Sequence, residues 1–97
     1  MGTQREPSHD YLPDFHWDEA NEEKLLRTHG VSAWEAEQCF GNPHTKRRSG
    51  HAMLMLSVTD AGRMLFLVYA QGPVSVRVYS AREMTQAERR TYRRLAR

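Results

Sequence analysis

Three short apolar runs, each closed by a turn, constrain this chain more than any other feature in it. Met53 to Thr59 and Met64 to Tyr69 flank Asp60-Ala61-Gly62-Arg63, a link of hairpin length, and Gln71-Gly72-Pro73 separates the second run from a third. In that third run Val74, Val76 and Val78 alternate with Ser75, Arg77 and Tyr79. Alternation at period two sends the valines to a core face and the other three to the opposite face. The pattern predicts a three-stranded antiparallel meander, with a four-stranded sheet as the alternative. None of these runs approaches the ~20 apolar residues that cross a bilayer; the longest, Met64 to Ala70, is of strand length.

Helices flank the meander. From Phe15 the spacing becomes helical, with Asp18 placed to cap, Glu19, Glu22 and Glu23 at the positive end of the dipole, and Arg27 and His29 near the negative end. Gly30 supplies the left-handed stop. Trp17, Asn21, Leu25 and Thr28 or His29 line one face, a narrow and partly polar stripe. Ser32 with Glu35 is a capping box, and Val31 with Ala36 a hydrophobic staple, opening a second helix that runs to about Phe40 before Gly41-Asn42-Pro43. Thr45 to Gly50 reads as a basic, flexible stretch. Thr85 with Glu88 repeats the capping box and opens a final Arg-rich helix through Tyr92 and Leu95. Two helices, an antiparallel sheet and a C-terminal helix make an α+β fold. Residues 1–13, polar and with two prolines, read as a flexible tail; residues 14–97 read as one domain.

Charge is divided unevenly along the 97 residues. Residues 1–44 carry a net −6 and residues 45–97 a net +8, and twelve of the fourteen cations are Arg. Guanidinium is the group for planar, bidentate contact with phosphate. A basic half points to a polyanion partner, or to an acidic protein that mimics one; an arginine-rich solvated surface is the plain alternative. The N-terminus lacks the positive start and apolar stretch of a secretory signal, and Glu6 stands where myristoylation wants Ser or Thr. The single cysteine makes no internal disulfide and fits a reducing compartment, so a cytoplasmic location without membrane attachment is expected.

Arg77 stands alone among valines and must emerge on the face away from the core, with Ser75 and Tyr79 beside it and Arg82 beyond. Such a group suits a phosphate, and equally an ordinary wet sheet face. Arg63 closes the hairpin, as a phosphate ligand or a solvated turn residue. In the last helix Arg89, Arg93 and Arg97 form one row and Arg90 with Arg94 its neighbour; the helix dipole accounts for only some of them. His29 titrates in the range of a general base, though a His before a capping Gly commonly serves the helix end. Tyr92 and Glu88 share a face of the last helix. The five histidines show no metal-ligand spacing, Cys39 reads as buried filler, and no phosphate-binding loop, dinucleotide fingerprint or nucleophile elbow occurs. No metal and no cofactor is expected.

Taken in order, Phe15-His16-Trp17-Asp18, His29-Gly30-Val31, Gly62-Arg63, Arg77-Val78-Tyr79-Ser80-Ala81-Arg82 and Glu88-Arg89-Arg90-Thr91-Tyr92 resemble the BrnT family of toxins from type II toxin–antitoxin pairs. The resemblance spans roughly residues 15 to 94. It implies a RelE-like fold, cofactor-free cleavage of RNA, and a ribbon–helix–helix antitoxin that binds the toxin and represses the operon. Asn21, Thr28 and Ala52 stand where many members carry Lys, Lys and Arg, and Gly50 and His51 where acidic residues precede that Arg; His51 or Arg48 are the replacements at hand.

The function expected is therefore a metal-independent endoribonuclease that inhibits translation by promoting attack of the RNA 2′-hydroxyl on the adjacent phosphate. Arg77 and Arg82 are the expected phosphate ligands, Arg63 assists, and Tyr92, His29 or Glu88 move protons. Expected partners are RNA, on the ribosome or free, and the antitoxin, in whose complex the toxin is a dimer. The alternative, from another class, is a toxin-like binding module for an acidic protein or RNA, its chemistry lost through Ala52 and Thr28. An unrelated ligand-binding domain is the plainest option.

Overall fold

The structure, a computed structural model, describes residues 13–96; the expected tail, save Pro13, lies outside them. The chain runs β1 (Asp14–Phe15), α1 (Glu19–His29), α2 (Ala33–Gly41), β2 (Thr45–Ser49), β3 (Ala52–Val58), β4 (Met64–Gln71), β5 (Ser75–Glu83) and α3 (Gln86–Leu95). The helix signals act as expected. Asp18 accepts from the Asn21 amide, Gly30 ends α1 in the left-handed conformation at φ 67°, and both capping boxes close on Glu35 and Glu88.

The α+β class holds, but the sheet has five strands in the order β1-β5-β4-β3-β2 rather than three or four. The meander β3-β4-β5 is antiparallel at its centre. The basic stretch expected to be flexible is instead edge strand β2, pairing antiparallel with β3 from Thr45 opposite Leu56 to Ser49 opposite Ala52. Its residues are mostly exposed and polar on both faces, so no alternation marks them. The strand forms because β3 offers a row of unpaired backbone groups, and its charges suit an open edge. At the other edge β1 runs parallel to β5, with the His16 amide donating to the Val76 carbonyl at 2.9 Å. Phe15, expected to begin a helical pattern, is a strand residue whose ring meets Phe40 edge-on at 5.0 Å.

One face of the sheet carries the core. Met55, Leu65, Leu67, Tyr69, Val76, Val78 and Ala81 pack there against Leu25 of α1 and Ala36 and Cys39 of α2. Val31 and Ala36, the expected staple, are both fully buried. Val74 is the exception among the valines: it precedes β5 and is 79% exposed, because the strand begins only after the Gly72-Pro73 turn. The buried Ser57 hydroxyl donates to the Cys39 carbonyl at 2.7 Å, which satisfies a polar group inside the core.

Candidate functional site

A break in alternation on β5 builds the site. Tyr69 pairs with Val78 while Val68 pairs with Ser80, so Tyr79 is an extra residue, a β-bulge, and it stands 47% exposed. Regular alternation would turn Arg82 toward the core with Val76 and Val78. The bulge resets parity, buries Ala81, and returns Ser80 and Arg82 to the face that Arg77 occupies. Asn21 ties α1 to this point, its side-chain amide donating to the Val78 carbonyl at 2.8 Å.

That second face is apolar along β3 and β4 and is partly covered by α3. Leu54, Leu56 and Phe66 face Ala87, Thr91 and Leu95 across a groove of about 340 Å³, with Lys46 and Arg47 of β2 along its rim. Arg82 lies over the Phe66 ring at 4.4 Å and makes a bidentate pair with Glu88, both contacts at 2.9 Å. Stacking on one side and a fork on the other hold the guanidinium in one plane. Arg82 and the backbone of the capping box hold the Glu88 carboxyl below its usual range.

The other expected residues, Arg77, Arg63, Tyr92 and His29, are not gathered in this groove. Arg77 shares the face of Arg82, but they lie five positions apart, roughly 15 Å at strand rise. Its guanidinium pairs with the capping carboxylate of Asp18 at 3.2 Å. The Asp18 carboxyl is held low by the Asn21 backbone amide first and by Arg77 second. Arg63 reaches toward the helices: it donates to the Gly30 carbonyl at 2.9 Å, to both Glu35 oxygens at 3.2 Å and to Glu83 at 3.1 Å. Those bonds fasten the hairpin turn to the junction between α1 and α2.

Tyr92 on α3 donates its hydroxyl to the Pro43 carbonyl at 2.8 Å. Burial, with a smaller contribution from Cys39, raises its pKa. His29 is exposed on the last turn of α1, the helix packed on the core face, and so stands apart from Arg82 and Glu88. Arg48 and His51 are exposed on β2 and its turn, and Thr28 on α1. Cys39 is buried filler as expected, its thiol pushed up to about 12 chiefly by burial. Among the described residues no three His, Cys, Asp or Glu side chains converge as a metal site.

Phe66, Lys46 and Arg47 were not singled out from the sequence. Phe66 had half a signal: it alternates with Leu65 and Leu67 and so lies on the face opposite theirs, but only the bulge in β5 brings Arg82 to that face. Lys46 and Arg47 gave none, since nothing local shows which side of the molecule β2 adopts.

No helix among the described residues is long and apolar enough to span a membrane. No curated protein matches the chain closely enough to add a named relative. The family model described as "Ribonuclease toxin, BrnT, of type II toxin-antitoxin system" matches residues 17–88. That span runs from Trp17 beside the α1 cap through the bulge and Arg82 to the paired Glu88, and on it the chain belongs to the BrnT family of ribonuclease toxins.

Proposed function

We propose that this chain is a metal-independent endoribonuclease toxin that stops translation, with RNA entering the groove between β2 and α3. The observation that carries the reading is Arg82, fixed in plane by Phe66 and Glu88, two residues that line a groove rimmed by Lys46 and Arg47. A preorganised guanidinium stabilises charge as it develops on a phosphate, because the environment needs no rearrangement during reaction. In the reaction the 2′-oxygen forms a bond to phosphorus while the bond to the 5′-oxygen breaks. One proton leaves the 2′-hydroxyl and another reaches the departing 5′-oxygen. Lys46, Arg47 and Arg48 supply backbone contacts, and Arg77 a second phosphate contact farther along β5. Arg63 fastens the hairpin to the helices in this scheme and takes no part in the reaction. Glu88, paired with Arg82, and Tyr92, one turn along α3 from Glu88, are the proton-transfer groups in this scheme; His29 serves the helix end. Partnership with a ribbon–helix–helix antitoxin, action on the ribosome and a dimer within the antitoxin complex belong to the same proposal.

One observation favours a second reading, a binding module. Arg63, Arg77 and Arg82 each face a carboxylate, and the Tyr92 proton is committed to Pro43. A surface satisfied in this way can exchange internal carboxylates for those of an acidic protein.

Incubation of the purified chain with total RNA in EDTA separates the two. Cleavage is expected, reduced about 10²–10³-fold in Arg82→Ala with the fold intact, the usual cost of removing one preorganised donor. Arg77→Ala is expected to weaken RNA binding and lower its salt dependence by about one phosphate contact, a slope change of about 0.7. Intact RNA, with translating ribosomes added as well, supports the binding module.

A further inference from the structure

The opposite side of the molecule carries a second groove with different chemistry. Trp34 is 63% exposed and Leu26 56%, and together with Ala33 they floor about 640 Å³ of open space between α1 and α2. Large apolar side chains exposed side by side mark interaction surfaces far more often than scattered ones do. Four carboxylates, Glu19, Glu22, Glu23 and Glu37, line the same groove, and no Lys or Arg does. The helix dipole accounts for Glu19 and Glu22 in the first turn of α1. Glu23 pairs with Arg27 one turn on at 3.2 Å, an exposed pair that a partner's cation can replace, and neither contact accounts for the two apolar side chains left beside them. Glu37 accepts from the Trp17 indole at 2.8 Å, which fixes one wall of the groove.

We propose that this groove docks a basic amphipathic helix from a protein partner. Its apolar anchors, three or four residues apart, lie on Trp34 and Leu26, and its Lys and Arg side chains meet the carboxylates of α1. RNA is repelled by the same charges, so this surface is separate from the RNA groove and does not depend on that reading. A second copy of this chain fits poorly. Its own basic helix, α3, is open at Ala87 and Leu95, but these lie eight residues apart with Thr91 between them, so it offers no pair of large apolar anchors three or four residues apart.

The probe is a fluorescently labelled 14-residue Leu/Lys amphipathic helix, followed by anisotropy against the full chain. Two control peptides replace all Lys by Glu, or all Leu by Ser. The Leu/Lys peptide is expected to bind, and Trp34→Ala and Glu22→Gln/Glu23→Gln each to weaken it at least tenfold. These positions are at the surface, so the variants are expected to keep the native circular dichroism. Asp60→Asn, a charge change outside the groove, is expected to leave binding unchanged. Equal binding of the Ser/Lys peptide, or indifference to Trp34→Ala, reduces the effect to bulk charge and overturns the proposal. Concentration-dependent self-association abolished by Trp34→Ala assigns the groove to a second copy and overturns it too. RNA cleavage is read separately, so failure of one reading does not disguise failure of the other.

Discussion

Arg63 and Arg82 show how one side-chain type takes two roles through its partners alone. Arg63 gathers a helix-end carbonyl and two carboxylates on a half-buried bridge between elements, its side chain 27% exposed. Arg63→Ala leaves the Ser32–Glu35 capping box in place but strips Glu35 and the Gly30 carbonyl of their shared donor. A loss of about 1–3 kcal/mol is expected, read as an earlier urea midpoint, with any residual cleavage per folded molecule unchanged. A large selective loss of cleavage would move Arg63 into the site. Cys39 belongs at this scale as well. With its thiol buried and pushed up to about 12, it is expected to resist a thiol reagent at pH 8 in the native state and to react on unfolding.

At the scale of the element, the bulge in β5 decides which residues face the groove. Deleting Tyr79 removes the extra residue and leaves Val78 opposite Tyr69 and Ser80 opposite Val68. Ala81 therefore stays in the core, and the deletion is expected to fold cooperatively at a cost of about 1–3 kcal/mol. If Tyr79 were an ordinary ladder residue, deletion would drive Arg82 inward and unfold the chain. Circular dichroism with a urea titration decides between these. The helices, the core strands and their turns were legible in the sequence because caps, glycines and alternation are local signals. The bulge, β1 and β2 were not. A bulge appears only as a register difference with a neighbouring strand, and a five-residue charged edge strand looks like any solvated loop.

The whole molecule extends 45 × 33 × 26 Å, and the charge division along the sequence becomes a division in space. Glu19, Glu22, Glu23 and Glu37 line the second groove, while Lys46 and Arg47 line the first, with Arg82 stacked on its Phe66 wall. Stability is tied to pH through carboxylates that are ionised and hydrogen-bonded in the fold. Glu35, held low first by the Ser32 backbone and then by Arg63, and Glu88, held low first by Arg82, both lie below the ordinary 4.5. A depressed carboxyl stabilises the fold above its unfolded-state value, and that contribution disappears as pH falls through the folded-state value. The melting temperature is expected to be steady near neutrality and to fall below about pH 4.5, with a shallower fall in Glu88→Gln. A melting temperature that instead rose on acidification would show these pairs to be of no consequence to stability.

Local physics made much of this protein readable from sequence: helix starts and stops, the meander, the inward valines at 76 and 78, and the buried cysteine. The residues resembling the BrnT family were readable as well, since motif order survives without coordinates. Tertiary structure alone decided what each arginine does. A guanidinium becomes a strut or a ligand according to which carboxylates and rings surround it. Those neighbours, Glu35 for Arg63, Asp18 for Arg77, and Phe66 and Glu88 for Arg82, come from other elements and meet only through strand register and helix packing.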